Sequence, residues 1–542
     1  MMIDARQIAP GSTVECDVCV VGAGAAGIAV AHELSRKGRD VALLEGGGLR
    51  HEAAAQELYR GEVLDRERHG ALDEYRQRRF GGTTTVWGGR CAPFDEIDFE
   101  ARPYVPYSGW PISRRDLDPF YRRAHEYCEL GEYAYTVLEA LPGGPPALIA
   151  GFRANGVVDD QVWRFSPPTD FGKRYRSALD SSANARVYLH ANCLKLAAGP
   201  GEAIERIEAG SAPGRTFAVK ARRVVLAAGG LETARLLLAS GVGNPWVGRC
   251  YISHITGDAG EVALTPRGGD VVWNYETGPD GVYCRRALAI AAEMQRREGL
   301  LNFHAVLSHS SPADPRHGNG ILSSMYLMKT MLARRIPPEY SRELSGMRTM
   351  HHIGAHCGNI AMHLPELVAF SGTWLRKRVF SARKLPSVAF PSRRNVYTLH
   401  IDAEQAPNPE SRVTLGEQKD AFGIPRLRVD WRPSATDAES AARCCRMVGQ
   451  ALEDAGVGRL LFDAERAAET IGRNTGVGSH HIGTTRMSAS AAQGVVDSDC
   501  RVYGARNLYV AGPSVFPTSG FANPTLTIVA PAIRLADHLG LA

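Results

Sequence analysis

The chain has 542 residues, of which 44% are hydrophobic and 22% are charged. This is the composition of an ordinary globular protein, and the length allows two domains or one elaborated domain. The net charge of +5 is small for this size and does not indicate a nucleic-acid partner. No apolar run approaches the roughly 18 residues of a membrane span. The N-terminus shows no signal peptide, and the irregular cysteine spacing fits reduced thiols, so we expect a cytoplasmic protein.

The first glycine cluster, Gly22-Ala23-Gly24-Ala25-Ala26-Gly27, predicts a turn that binds a dinucleotide. An apolar strand over residues 16–21 precedes it, a helix follows, and a second strand closes with Glu45. Gly22 allows the tight turn, Gly24 lets backbone amides approach a pyrophosphate, and Gly27 lets the helix pack closely on the strand. The helix N-terminus attracts phosphate, and Glu45 is placed to accept hydrogen bonds from an adenosine ribose. This pattern does not distinguish FAD from NAD.

A second glycine-rich segment covers residues 80–90 and contains four glycines, three threonines and Trp87. One interpretation is an ordinary surface loop. A tryptophan between glycine pairs is unfavourable in solvent, however, and glycines allow the backbone to approach a flat ligand closely. We therefore favour a cofactor-binding loop.

The next elements are a helix over residues 114–129 and a meander of short strands over 185–225. The meander ends in a buried strand, Arg223-Val224-Val225-Leu226-Ala227-Ala228, which is followed by Gly229 and a helix to Leu238. Strand, glycine turn and helix recur in that order, which indicates a second pass of the chain beside the cofactor.

Residues 263–465 contain no glycine fingerprint and are assigned mainly to substrate binding. Within them, residues 329–394 hold twelve Lys/Arg and three Asp/Glu. We interpret this basic stretch as a solvated face, and a subunit interface or an anionic surface remain alternatives. Residues 404–431 have the pattern of a hairpin.

The C-terminal part carries two polar motifs. His480 and His481 precede Gly483, on an expected strand whose successive side chains face opposite sides. A strand-like segment over residues 507–512 follows. Asn523 has the character of an N-cap and Pro524 that of a first helical residue, so a last helix is predicted to begin there.

Together these segments, in this order along nearly the whole chain, resemble the glucose–methanol–choline (GMC) family of FAD-dependent alcohol oxidoreductases. The resemblance implies an α/β protein, α+β overall, with a Rossmann-like FAD-binding domain. It also implies a discontinuous substrate-binding domain built on a β-sheet flanked by helices. The implied FAD-binding domain comprises residues 1–99, 180–262 and 466–542, and the substrate-binding domain comprises 100–179 and 263–465.

The resemblance also implies the roles of particular residues. His480 corresponds to the catalytic base, in preference to His481, and Asn523 corresponds to a second catalytic position. A histidine can accept the alcohol proton, and an amide can hydrogen-bond the developing alkoxide. His254 falls where relatives often carry a histidine, with a structural or cofactor-proximal role. The residues implied to bind FAD are Gly22, Gly24, Ala25, Ala26, Gly27, Glu45, Gly81, Gly82, Thr83, Thr85, Val86, Trp87, Gly88, Gly89, Ala228, Gly229, Gly512, Pro524 and Thr525.

Three departures from the family pattern are visible. Some relatives attach FAD through a histidine just before the aromatic residue of the loop, where this chain has Val86, so we expect non-covalent FAD. Ser488 replaces a usual glycine, and Pro531 lies inside the predicted last helix, where it removes a backbone hydrogen bond.

Metal binding is not expected. His351, His352 and His356 lie close together in sequence, but no carboxylate or cysteine completes a convincing set of ligands. Cys16 and Cys19 form a C-x-x-C pattern on the first strand, and we interpret them as small core residues.

The predicted activity is oxidation of a sugar, glycoside or polyol hydroxyl, most similar to the pyranose oxidase and glycoside 3-oxidase branch. An aminoglycoside hydroxyl is the alternative, although a cationic substrate would require local carboxylates. An NAD-dependent dehydrogenase and a non-catalytic FAD-binding relative are further alternatives. The sequence leaves open whether O₂ or another acceptor takes the electrons, and it leaves the oligomeric state open.

Overall fold

The computed structural model describes residues 1–154, 156–199, 201–266, 270–332, 352–387, 390, 392, 394–463 and 479–541. The strands are β1 (Met2–Asp4), β2 (Thr13–Val21), β3 (Val41–Leu44), β4 (Glu62–Val63), β5 (Arg90–Cys91), β6 (Val157–Phe165), β7 (Ala185–Leu189), β8 (Asn192–Ala198), β9 (Ile204–Ala212), β10 (Arg215–Leu226), β11 (His254–Leu264), β12 (Glu276–Thr277), β13 (Tyr283–Ile290), β14 (Phe303–Ser308), β15 (Val396–Glu404), β16 (Arg412–Lys419), β17 (Pro425–Asp430), β18 (Gly458–Leu460) and β19 (Leu508–Val510).

The helices surround and connect these strands. They are α1 (Ala25–Arg36), α2 (Ala53–Glu57), α3 (Glu96–Phe99), α4 (Arg114–Cys128), α5 (Val137–Ala140), α6 (Phe171–Ser181), α7 (Gly229–Ser240), α8 (Ala292–Glu298), α9 (Gly320–Leu332), α10 (Ile353–Met362), α11 (Leu364–Trp374), α12 (Ala435–Asp454) and α13 (Thr525–Leu541). Within the described part of the chain, no helix is long and apolar enough to cross a membrane.

The first sheet has the strand order β1-β7-β3-β2-β10-β9-β8, and β19 pairs with the end of β10. The pairs β1–β7, β7–β3, β3–β2, β2–β10 and β10–β19 are parallel, whereas β9 pairs antiparallel with β10 and β8. The unit β2-α1-β3 is a crossover between adjacent parallel strands, because the glycine turn sends the chain directly into α1. The predicted Rossmann-like fold is confirmed. The predicted meander over residues 185–225 is confirmed for β8, β9 and β10, whereas β7 pairs parallel with β1 and β3 and is not part of it.

The core of this half is formed by buried apolar side chains of the central strands and of α1. β3 is buried along its whole length, and the last four residues of β2 are buried, as expected for parallel strands covered on both faces. α1 packs against α13, and α13 packs against α4. Cys16 and Cys19 both lie on β2 as free thiols, with Cys19 buried and Cys16 partly buried.

The second sheet has the order β18-β11-β15-β14-β13-β6-β5, with β12 on β13, and all its pairs are antiparallel. The twenty-residue α12 belongs to the same core, with Cys444, Val448 and Leu452 buried beside strand residues such as Ile401. This is the predicted β-sheet flanked by helices. β11 begins at His254, eight residues before the predicted domain boundary at residue 262, and it pairs in the second sheet and not in the first. The two-domain boundaries themselves remain a prediction.

A third, small sheet contains β16, β17 and β4. β16 and β17 form the predicted hairpin, but its first strand begins at Arg412. Residue Glu404 instead ends β15 of the second sheet, because its register continues the pairing with β14 and β11. The predicted start of the hairpin at residue 404 is therefore too early.

Candidate functional site

One edge of the first sheet carries five of the residues predicted to bind FAD: Gly22, Glu45, Ala228, Gly229 and Gly512. β3, β2, β10 and β19 are parallel, so their carboxyl ends meet there. Gly22 follows β2 and Glu45 follows β3, while Ala228 and Gly512 come two residues after β10 and β19. Open parallel sheets bind their ligands at this edge. Gly229 opens α7 at the same edge with φ of 81°.

The glycine turn between β2 and α1 fits a pyrophosphate. Gly22 has φ of 100°, and a Cβ atom on Gly27 would lie 1.8 Å from the Gly22 carbonyl oxygen, so a larger residue does not fit there. By contrast, a Cβ atom on Gly24 would meet no atom within 4 Å. No side chain caps α1, which begins with Ala25 and Ala26, so its first amides are available to phosphate oxygens.

Glu45 lines a cavity beside this turn. Its carboxylate accepts hydrogen bonds from the amides of Ala23 at 3.0 Å and Gly47 at 2.9 Å. Burial raises the pKa of this carboxyl, although both amides act in the opposite direction. Tyr59 and Arg78 also line the cavity. A carboxylate can accept about four hydrogen bonds, so Glu45 retains capacity for a ribose hydroxyl.

The second glycine loop packs against the first. The Gly81 amide donates to the Ala23 carbonyl at 2.9 Å, and the Trp87 indole N–H donates to the Thr169 carbonyl at 3.0 Å. Val86 is half-buried in this loop. The other predicted residues of the loop are Gly82, Thr83, Thr85, Gly88 and Gly89. The two glycine loops therefore form one continuous surface that would hold the FAD.

The predicted catalytic residues His480 and Asn523 lie side by side. Nε2 of His480 is 3.4 Å from Nδ2 of Asn523, and Nδ1 of His480 is 2.8 Å from Nδ1 of His254. His254 is the first residue of β11, and its Nε2 lies 3.0 Å from the Ser519 carbonyl oxygen. Both ends of the His480 ring therefore have a polar partner.

Arg90 fixes the orientation of Asn523. Its Nε–H donates to Oδ1 of Asn523 at 2.5 Å, and its two terminal nitrogens donate to the Asp402 carboxylate at 2.7 and 2.8 Å. Because Oδ1 accepts this bond, Nδ2 of Asn523 faces His480. Asp402 also accepts a hydrogen bond from Thr256 at 2.9 Å. Bidentate ion pairs of this kind combine geometric specificity with charge compensation.

The electrostatics keep both histidines neutral. Burial lowers the pKa of His480 far below its usual value, and His254 and Arg90 lower it further. Burial also lowers the pKa of His254, to about 4, although Asp402 acts in the opposite direction. The Asp402 carboxyl would have a raised pKa from burial alone, but Arg90 outweighs burial and holds its pKa far below the usual range. A neutral histidine has a free nitrogen lone pair, which a base requires.

Aromatic rings surround this cluster. The Phe521 ring stacks on His304 with centroids 3.3 Å apart, and the Trp163 ring lies nearly parallel beside this pair, 6.3 Å from His304 and 6.4 Å from Phe521. The Arg90 guanidinium lies 4.4 Å from the Trp163 ring centre. The Trp163 ring lowers the local polarity beside Arg90, which strengthens electrostatic interactions there.

His481 faces away from His480, as predicted, although the structure has no continuous strand there and only Ile482 forms a bridge, with Ile252. His481 is buried and stacks on the Tyr251 ring at 6.1 Å. The last helix begins at Thr525 after the buried Pro524, two residues later than Asn523. The prediction of Asn523 as the N-cap is therefore corrected.

Sequence reasoning missed three members of the cluster. Arg90 is the last residue of the glycine-rich loop, and this position was the only feature of the sequence that could have indicated a role for it. Asp402 carries no motif, and Ser519 acts through its main chain. The residue His254 was singled out, but without its contact to His480.

The clustered histidines of the basic stretch have structural contacts. Nδ1 of His356 lies 3.0 Å from the Ser323 hydroxyl, and its ring stacks with Tyr326. His352 precedes α10 with φ of 53°, and His351 lies outside the described residues. Among the residues that the structure describes, no group of three possible ligands could hold a metal ion.

Comparison with known proteins agrees with this arrangement. Residues 17–352 match the family model described as FAD dependent oxidoreductase, and residues 407–532 match the model described as GMC oxidoreductase. The chain belongs to the FAD-dependent oxidoreductases, and its predicted GMC type is confirmed. It is therefore an FAD-dependent enzyme.

Individual relatives are distant. The chain is 25% identical to paromamine 6'-oxidase from Streptomyces fradiae over 96% of this chain and 90% of the relative. It is 33% identical to a C-glycoside 3-oxidase from Arthrobacter globiformis over 24% of each chain. The structure of pyridoxine 4-oxidase from Mesorbium loti has a TM-score of 0.52 with 17% identity, covering 96% of this chain and 99% of that one. This last likeness shows a shared fold.

Proposed function

We propose that this enzyme oxidises a hydroxyl group of a sugar, glycoside or polyol, with His480 as the base. The observation that carries this proposal is the pairing of His480 Nε2 with the Asn523 amide, 3.4 Å apart and bordered by the Arg90–Asp402 ion pair. FAD, when bound, supplies the acceptor for the carbinol hydride. The two glycine loops would hold FAD through backbone amides that no side chain caps.

The side chains divide the remaining chemistry between them. Nε2 of His480 accepts the hydroxyl proton, because this nitrogen is neutral and faces Asn523. Nδ2 of Asn523 donates a hydrogen bond to the developing alkoxide oxygen without itself changing charge. Arg90 holds the Asn523 amide in the orientation that this donation requires. General base catalysis of this kind contributes roughly 10²- to 10⁴-fold in rate.

The neighbouring histidines provide a matched test. In His480→Ala, we expect the rate of substrate-dependent FAD bleaching under anaerobic conditions to fall by roughly 10²- to 10⁴-fold, with FAD content unchanged. In His481→Ala, the same rate should stay close to that of the wild type, because His481 faces Tyr251. Wild-type bleaching rates in His480→Ala at full FAD content would exclude His480 as the base.

The substrate class is tested by the same bleaching assay with a panel of sugars, glycosides, polyols and aminoglycosides. The similarity to paromamine 6'-oxidase favours an aminoglycoside hydroxyl as the second candidate. In the cluster described above, however, the Asp402 carboxylate is paired with Arg90 and not free for an ammonium group. We expect neutral sugars or glycosides to bleach FAD fastest. Faster bleaching by aminoglycosides would select the second candidate.

We further propose that FAD is bound without a covalent link. Val86 occupies the loop position before Trp87, and its side chain has no nucleophilic atom. Acid precipitation should release all the yellow colour into the supernatant. Colour that stays in the pellet would contradict this proposal.

A further inference from the structure

The described residues expose large apolar side chains very unevenly. Of the 16 exposed large apolar side chains, ten lie between residues 328 and 380. Eight of these belong to residues 353–380, which we call the apolar arm and which comprises α10, α11 and a π-helical segment, Leu375–Phe380. They are Ile353, Met362, Leu364, Val368, Trp374, Leu375, Val379 and Phe380, and their exposed fractions range from 38% to 79%. A concentration of this size marks an interaction surface.

The arm is fixed to the body at both ends, but its middle is not covered by the described residues. At its start, His356 and Asn359 of α10 are buried and hydrogen-bond with Ser323 of α9. Just beyond its end, Arg383 donates to the carbonyls of Phe165 and Glu129. Between these anchors, α11 has no buried residue despite its apolar sequence. Apolar helices in water obtain most of their stability from burying such a face.

The positive charge of the apolar arm favours an anionic partner. Residues 352–387 contain five Lys/Arg and one acid, Glu366. Arg376 and Lys377 are exposed between Leu375 and Val379, so that cations and apolar side chains share one surface. A second copy of this chain would bring like charges together. An anionic lipid surface instead accepts the apolar side chains at its acyl boundary and pairs its headgroups with the cations.

We propose that the apolar arm docks this enzyme onto anionic lipid surfaces without spanning them. The test measures binding to phosphatidylcholine vesicles with and without phosphatidylglycerol. The holoenzyme should bind the anionic vesicles, and binding should weaken as salt rises. In Val368→Ser/Phe380→Ser, vesicle partitioning should fall by at least about tenfold, because two exposed apolar side chains are lost. In Arg376→Glu/Lys377→Glu, the preference for anionic vesicles should disappear.

The matched control is Leu138→Ser on α5, where the side chain is 83% exposed but lies outside the arm. This variant should bind vesicles like the wild type, and all variants should retain their FAD. Cys357 on α10 is exposed and allows an environment-sensitive label on the arm. Absence of vesicle binding by the wild type would overturn the proposal. A wild-type dimer that Val368→Ser/Phe380→Ser dissociates, without lipid binding, would assign the arm to a second copy and also overturn it.

A separate inference concerns His254 and rests on the proposed role of His480. The Ser519 carbonyl oxygen only accepts hydrogen bonds, so the His254 nitrogen facing it, Nε2, carries a proton. In the neutral ring, Nδ1 of His254 is then an acceptor, and the proton in the 2.8 Å contact between the two Nδ1 atoms belongs to His480. A neutral His480 with Nδ1 protonated has its lone pair on Nε2, next to Asn523.

The geometry points to His254 as the positioning residue that sets the tautomer of His480. His254→Leu removes the acceptor, whereas His254→Asn can keep an acceptor close to the position of Nδ1. We expect His254→Leu to lower the rate of FAD bleaching by about 10- to 100-fold, and His254→Asn to restore most of it. The acid limb of the pH–rate profile should shift in His254→Leu and should not shift in His254→Asn.

Nitrogen NMR of histidine-labelled protein separates this inference from the proposed catalytic role. Wild type and His254→Asn should show His480 protonated at Nδ1, and His254→Leu should show a mixture of tautomers. A His480 that stays protonated at Nδ1 in His254→Leu would overturn the positioning role, whatever the activity of His480 variants. Tautomer control with no rate change in His480→Ala would instead overturn the catalytic role alone.

Discussion

The edge of the first sheet that is proposed to bind FAD (the nucleotide-binding edge) and the proposed catalytic cluster around His480 and Asn523 are built in different ways. At the nucleotide-binding edge, main-chain amides and glycine turns provide most of the surface, and the key residues Gly22 to Gly27 are consecutive in sequence. The proposed catalytic cluster is made of side chains. Four of its members, Arg90, His254, Asp402 and Asn523, come from segments more than a hundred residues apart, and His480 lies 43 residues before Asn523. The nucleotide-binding edge therefore depends on backbone conformation, whereas the cluster depends on the charges and tautomers of its side chains.

This difference predicts how each region fails. Substitutions at the nucleotide-binding edge should act through steric fit and FAD content. Substitutions in the cluster should leave FAD in place and act through uncompensated charge, orientation and pH. Variants of each region test this separation.

The close approach in the glycine turn gives the largest effect, because folding stability and FAD binding are both expected to be lost. In Gly27→Ala, the new Cβ would lie 1.8 Å from the Gly22 carbonyl oxygen, and the backbone must move to accommodate it. We expect a loss of about 3 kcal/mol or more in the free energy of unfolding, with little bound FAD. Gly24→Ala is the control, because its Cβ would meet no protein atom; it should fold normally and lose only FAD affinity. Full FAD content and normal stability in Gly27→Ala would contradict this prediction.

The ion pair of the cluster gives the next effect. Asp402→Asn leaves the Arg90 cation without its partner beside two neutral histidines. We expect the free energy of unfolding, measured with denaturant, to fall by about 3–5 kcal/mol. Arg90→Met/Asp402→Leu removes both charges and should be less destabilised than Asp402→Asn. Equal destabilisation of the single and double variants would show that charge compensation is not the cause.

The pH dependence of stability probes the buried histidine directly. His254 has a pKa of about 4 in the folded chain and an ordinary value near 6.5 when unfolded. The unfolded chain therefore binds its proton first as the pH falls. The contribution of neutral His254 to the free energy of unfolding is complete above pH 6.5. Roughly 3 kcal/mol of this free energy is lost as the pH falls from 6.5 to 4. In His254→Asn, the unfolding free energy should fall less steeply over this range; an unchanged slope would contradict the prediction.

The smallest effect concerns the orientation of Asn523. Arg90→Lys keeps a cation beside Asp402 but removes the Nε–H that holds Oδ1 of Asn523. Loss of one hydrogen bond of about 1.4 kcal/mol should slow FAD bleaching by about tenfold, with FAD content unchanged. In an Asn523→Ala background the same substitution should have little further effect. Additive effects of the two substitutions would show that Arg90 acts independently of Asn523.

The same difference explains what could be predicted from the sequence. Gly22, Gly27 and Glu45 were recognisable because strand, turn, helix and strand follow one another within thirty residues. Asp402 had no such signal, because its role depends on the antiparallel register that places β15 beside β11. The N-cap assignment of Asn523 failed for a related reason: a local preference gave way to a distant partner, Arg90. His254 could be singled out by position, but its contact required the fold.

The pairing of β19 with β10 has a consequence for how the enzyme is made. β10 ends at Leu226, but the strand that completes its edge begins at Leu508. During translation, the first sheet cannot add β19 until nearly three hundred further residues have been synthesised, and Asn523 is synthesised later still. A partly synthesised chain can form the glycine turn without His480 and Asn523, the proposed proton acceptor and alkoxide donor. On this proposal, catalytic competence requires Asn523 to have been synthesised, and long-range pairing of this kind is slow to form.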